Sequence, residues 1–86
     1  MARYSLEITR TAEKQLRRLP ADARRRVAHA MLALAGDPCP PGSRKLIGHE
    51  DIFRIRVGVY RIIYSVSQRR LVIILLKIGH RKDIYR

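Results

Sequence analysis

The sequence predicts a two-layer α+β domain, in the order β-α-α-β-β-β, with an N-terminal helical hairpin packed on one face of a mainly antiparallel sheet. Three observations carry that expectation. Apolar residues recur at helical spacing between Ala12 and Leu34, and the spacing changes to every second residue from Ile52 onward. The last run, residues 71–78, is apolar on both faces, as suits a central strand. The chain has 86 residues, too few for a second core, so residues 1–86 are read as a single domain.

Each element has its own local cause. Tyr4, Leu6 and Ile8 alternate with polar residues, which makes a short half-buried strand. Thr9 offers a hydroxyl to cap the helix that follows, and Ala12, Leu16 and Leu19 form its apolar stripe until Leu19-Pro20 stops it. Pro20 or Asp22 opens a second helix with the stripe Ala23, Val27, Met31 and Leu34, and Gly36 followed by Asp37-Pro38 ends it. Residues 38–50 hold three prolines and two glycines with little periodicity, so they form a connection, with a brief edge strand at 44–46. Residues 52–57 and 60–66 alternate as the two arms of a hairpin, and Gly58-Val59, with glycine first, suits a type II′ turn. Residues 67–70 then turn the chain into the final strand.

Composition narrows the function classes. Nineteen Lys plus Arg against seven Asp plus Glu give a formal charge of +12, while 47% apolar content demands a real core beneath it. Excess positive charge on a folded surface predicts a polyanionic partner. The longest apolar stretch, 71–76, is far short of the roughly 20 residues of a membrane span, and no hydrophobic signal core opens the chain. A soluble, cytoplasmic protein with no membrane partner is expected. The one cysteine, Cys39, lies between prolines and reads as a reduced loop thiol. His49, Glu50 and Asp51 are neighbours in a loop, a poor arrangement for converging on one ion, so no metal site and no cofactor are expected.

Alternation in the hairpin sets the central inference. If Phe53, Ile55 and Val57 pack on the helices, Arg54 and Arg56 must project from the opposite, uncovered face. Arg61 has the parity opposite to Tyr60, Ile62 and Tyr64, and so joins them across the hairpin. Arg81, just past the last strand, is placed to close the group. Guanidiniums gathered on one face repel each other unless an anion sits among them, and arginine grips phosphate bidentately at any working pH. The phosphate-binding set is read as Arg54, Arg56, Lys45, Lys77 and His80. The run Arg24-Arg25-Arg26 is a solvated helix face that adds a possible phosphate contact.

At this point the residues resemble a family. The stretch Ile52-Phe-Arg-Ile-Arg-Val-Gly-Val-Tyr-Arg-Ile-Ile-Tyr64, the strand after it, and Gly79-His-Arg-Lys-Asp-Ile-Tyr85 look like the RelE toxins of the RelE/ParE superfamily. The amino half, a strand, then Thr-x-x-Ala-x-x-x-Leu, then a second helix after Leu-Pro, is similar as well. The resemblance implies a RelE-like fold and the toxin of a type II toxin-antitoxin pair, which enters the A site of the 70S ribosome and cuts mRNA without metal. It implies a cognate acidic RelB-like antitoxin as partner, besides ribosomal and messenger RNA. By the family pattern Arg54 and Arg56 hold RNA phosphates, Arg61 contacts the scissile phosphate, Arg81 acts at the transition state or leaving group, and Tyr85 takes the 2′-hydroxyl proton. This sequence carries arginine where lysine is common at positions 54 and 56, which retains phosphate binding but not proton donation.

Physical chemistry supports the same assignment. Cleavage by the RNA's own 2′-oxygen requires removal of a proton, stabilisation of a dianionic phosphorane and protonation of the departing 5′-oxygen. Cations and one base suffice, and nearby guanidiniums lower the pKa of a tyrosine toward usefulness. His80, an imidazole beside Arg81, is the other candidate base. Two alternatives stand: a ParE-like toxin that inhibits DNA gyrase by binding, and a nucleic-acid-binding module without catalysis.

Overall fold

The computed structural model describes residues 3–80. Its elements run β1 (Ser5–Ile8), α1 (Arg10–Arg17), α2 (Ala21–Leu34), β2 (Arg44–Lys45), β3 (Ile52–Val57), β4 (Tyr60–Ser67) and β5 (Val72–His80). The brief edge strand forms as β2, so the sheet has five strands in the order β1-β5-β4-β3-β2. β1 runs parallel to β5 and every other pairing is antiparallel. This is the two-layer α+β arrangement the sequence predicts, with both helices on one face.

Local chemistry explains the elements. The Thr9 side chain accepts the Ala12 N–H at 3.1 Å and so caps α1. Gly58 takes φ 62 at the head of the β3–β4 turn while Val59 stays outside the left-handed region, the type II′ pattern that matches strand twist. The turn into β5 differs from expectation. β4 continues to Ser67, and Leu71 is excluded from β5: it holds a left-handed φ of 57 with its side chain exposed. Its carbonyl accepts the Ser5 N–H at 2.8 Å, which ties this strained residue to the start of β1.

The core lies between the layers. Ala12, Val27 and Leu34 from the helices meet Ile55, Ile62, Tyr64, Val66, Ile73, Leu75 and Ile78 from the sheet. Leu75 and Ile78 are both core residues although three positions apart, because β5 carries a bulge: Tyr64 pairs with Leu75 but Ile63 pairs with Lys77. Leu76 is the extra residue. Period-two reading of 71–78 does not reveal it, since leucine on either side leaves the pattern unmarked.

β1 covers the outer edge of β5 only as far as Leu75. Beyond that α1 takes over. Thr9 Oγ1 donates to the Leu76 carbonyl at 3.1 Å, and the Gln15 side-chain oxygen accepts the Ile78 N–H at 2.7 Å. Backbone groups that the bulge removes from strand pairing are thereby satisfied.

Tyr64 is fully buried, and its hydroxyl donates to the Pro38 carbonyl at 2.8 Å, pinning the 38–50 connection to the sheet. Burial pushes the phenol up to about 12, with Cys39 and Asp37 adding to the rise and Ser43 opposing it. A pKa raised in the fold means that the neutral form is favoured there, so this stabilisation holds below about pH 10 and drains away as pH climbs toward 12. Urea midpoints of the wild type are expected to fall across that interval. Tyr64→Phe flattens the fall and costs about 1 kcal/mol at neutral pH through the lost hydrogen bond.

Candidate nucleic-acid interface

Register places the arginines directly. Arg56 is the cross-strand partner of Arg61, Arg61 is the partner of Gly79, and Arg54 lies between Arg44 and Ile63. Ile63 in turn pairs with Lys77. Opposed residues share a face, so Arg44, Arg54, Arg56, Arg61 and Lys77 occupy the side of the sheet away from the helices. Ile63 lies there too: it is buried to 6% exposure yet stands outside the core cluster between the layers.

The closest of these pairs is Arg56 with Arg61. The Leu46 N–H donates to the Ile52 carbonyl at 2.9 Å, so even-numbered residues of β3 aim their backbone groups at β2. Arg56 and Arg61 are therefore a non-hydrogen-bonded pair, the type in which Cα atoms approach to about 4.5 Å and side chains run together. Arg61 is half-buried and its Nε is fully buried, whereas Arg56 is exposed. The pair thus joins a guanidinium whose Nε is buried to an exposed one beside it.

Two further arginines reach the same region: Arg44, on the edge strand the sequence predicts, and Arg26, from the run read as a phosphate contact. Arg44 sits opposite Arg54 only because β2 forms. In the run 24–26, the Arg24 Nη1 donates to the Arg17 carbonyl at 3.3 Å and Arg25 lies 3.9 Å from Asp22, but Arg26 extends to the hairpin turn, where a Cβ on Gly58 would lie 3.6 Å from its Nη1. Along the outer edge of β3 runs a groove of about 450 Å³, lined by Ala30 and Ala33 of α2, the 40–42 turn, Arg44, Arg54 and Arg56. Two carboxylates, Glu7 and Asp51, line a separate groove with Arg70, Ser65 and Ile74.

Other expected site residues fall elsewhere. Lys45 pairs with Phe53 on the core side, its Nζ 5.7 Å from the ring centroid in a cation–π contact. His80 pairs with Tyr60, also on the core side, with the two rings edge-on at 6.1 Å. Neither shares the arginine face by register. Arg81 and Tyr85 lie outside the described residues. Among the described residues no group of three or more His, Cys, Asp or Glu is gathered to hold a metal.

Comparison with known proteins agrees with this architecture. The family described as "ParE toxin of type II toxin-antitoxin system, parDE" matches residues 6–85. Toxin RelG of Mycobacterium tuberculosis is 32% identical over 96% of this chain and 97% of its own length. Among solved structures, the toxin-antitoxin complex RelBE2 of Mycobacterium tuberculosis contains a chain that superposes with a TM-score of 0.83, at 26% identity over 96% of this chain and 97% of that one. The RelE-RelB complex of Pyrococcus horikoshii OT3 gives 0.82, at 34% identity over 93% of this chain and 97% of that one. Fold, charge layout and relatives converge: the chain belongs to the ParE toxin family of type II toxin-antitoxin systems and is a toxin of the RelE type.

Proposed function

We propose that this toxin is an mRNA endonuclease that works in the ribosomal A site, without a metal ion, and so arrests translation in the cytoplasm. The observation that carries the reading is the pairing of Arg56 with Arg61 on the uncovered face, flanked by Arg54 and Lys77. Those cations bind consecutive phosphates of a single strand, and Arg61, whose Nε is buried, holds the scissile one. The 2′-oxygen attacks that phosphorus, the P–O5′ bond breaks, and a 2′,3′-cyclic phosphate and a 5′-hydroxyl result. Guanidiniums neutralise the charge that grows on the non-bridging oxygens, the service a metal performs in other nucleases. In the family pattern Tyr85 removes the 2′ proton and Arg81 assists the leaving group.

A cognate acidic antitoxin of the RelB kind is the proposed partner. The comparison structures are complexes with RelB, and a surface this cationic suits an acidic chain. The family's description as ParE favours one second reading, inhibition of DNA gyrase by binding.

One experiment separates the two. In a reconstituted translation system the wild type is expected to produce mRNA ends clustered within codons, and to do so equally in excess EDTA once ribosomes are assembled and magnesium is replaced by polyamine. Arg61→Ala is expected to lower the cleavage rate at least about a hundredfold while remaining folded, as removal of one preorganised donor does elsewhere. A relaxed plasmid topoisomer pattern with intact mRNA overturns the nuclease reading in favour of gyrase.

A further inference from the structure

We infer that Gln15 of α1 is a positioning residue of the phosphate grip, acting through the β5 bulge on Lys77; this rests on the nuclease reading above. Leu75 and Ile78 both point into the core, and an unbulged strand cannot place residues three apart on one face. If Leu76 paired with Ile63 in regular register instead of bulging, Lys77 would fall opposite Ile62, a fully buried site that cannot hold an ammonium group. The bulge turns it to the other side, opposite Ile63 and one strand from Arg54.

Past Leu75 the outer edge of β5 has no strand beside it, so the backbone groups that the bulge turns outward need other partners. Here the two groups on either side of Lys77 are both taken by α1. The Leu76 carbonyl accepts from Thr9, and the Ile78 N–H is held by Gln15 at 2.7 Å. Thr9 is already committed to capping its own helix. Gln15 instead reaches across 63 positions of sequence to one amide. It sits on the opposite side of the sheet from the phosphate and touches no substrate. What it fixes is the register that presents Lys77.

The test uses the full-length toxin and a fluorescein-labelled oligouridylate as the single-stranded probe, with affinity measured across a salt series. Gln15→Met keeps volume and helix propensity but removes the acceptor, and Gln15→Glu keeps the acceptor. Lys77→Ala is expected to weaken binding roughly three- to tenfold and to reduce the salt slope by about 0.7, one phosphate contact on a single strand. Gln15→Met is expected to do the same with faster hydrogen exchange at the Ile78 amide, Gln15→Glu to restore wild-type binding, and Gln15→Met/Lys77→Ala to bind no more weakly than either alone. A merely structural glutamine lowers the thermal midpoint yet leaves the slope intact. Additive losses, or an unchanged slope in folded Gln15→Met, overturn the assignment while the phosphate grip stands. Wild type that shows no salt-dependent binding overturns the grip itself, and the assignment with it. Should Gln15→Met not fold, a Gln15→Glu variant that folds but has lost the salt slope overturns it equally.

Discussion

An Arg56→Glu variant is expected to be more stable than the wild type and to cleave mRNA at least about a hundredfold more slowly. Both halves follow from one geometric fact. Arg56 and Arg61 are direct partners in a non-hydrogen-bonded pair, so their stems run side by side and their charges repel. Glutamate at position 56 converts the repulsion into a cross-strand ion pair, with a gain of about 0.5 kcal/mol for an exposed pair of this kind. The same carboxylate occupies Arg61, the cation that the nuclease reading assigns to the scissile phosphate, and it repels the incoming RNA. Stability and activity therefore move in opposite directions, as they do where a site stores repulsion for the sake of its ligand. Arg56→Gln separates the terms: it relieves the repulsion without supplying a competitor, so stability rises less and cleavage falls less. Thermal unfolding and translation-dependent cleavage, measured on the three proteins at one salt concentration, check the scheme. An Arg56→Glu protein that is less stable, or one that cuts at the wild-type rate, contradicts it.

How far the sequence discloses this site depends on which kind of regularity each residue obeys. Arg54, Arg56 and Arg61 sit in a hairpin closed by a two-residue turn, where period two and a fixed register determine every facing, and the structure puts all three on the predicted side. The edge strand of Arg44 and the run holding Arg26 are legible, but their neighbours are not, since the register of β2 on Arg54 and the approach of α2 to Gly58 depend on tertiary pairing. Lys45 and His80 go the other way. Charge alone suggests a role in phosphate binding for them, yet parity sends Lys45 over Phe53 and His80 against Tyr60. The bulge at Leu76 is the clearest case of information absent from local pattern, since leucine reads the same on either face and only the neighbouring lysine hints that the phase must change. Helices and caps, governed by short-range chemistry at Thr9, Pro20 and the apolar stripes, are the most legible part.

Two adjacent isoleucines on β4 give the sharpest test of a sheet with one structural and one functional side. Ile62 is wholly inaccessible between Ile55 and Ile78, while Ile63, 6% exposed, lies between Arg54 and Lys77 on the opposite face. Their burial is nearly equal, so area alone predicts equal effects. Packing does not. Ile62→Ala opens a cavity among rigid core side chains and is expected to cost about 3 kcal/mol, a large part of the roughly 4 to 13 kcal/mol available to a domain of this size. Ile63→Ala opens space beside the flexible stems of its cross-strand partners Arg54 and Lys77, which are free to fold into the gap, so about 1 kcal/mol is expected. The collapse has a consequence the core mutation lacks: it draws the Arg54 and Lys77 heads inward, away from where the nuclease reading puts the RNA phosphates. Cleavage by folded Ile63→Ala is expected to fall about tenfold, mostly through weaker substrate binding, while the folded fraction of Ile62→Ala binds as the wild type does. Urea titrations give the two stability terms, and oligouridylate binding at a temperature where both variants are folded gives the other. A binding defect confined to Ile62→Ala, or equal stability losses at both positions, reverses the assignment of faces, since it places Ile63 among the core and Ile62 beneath the cations.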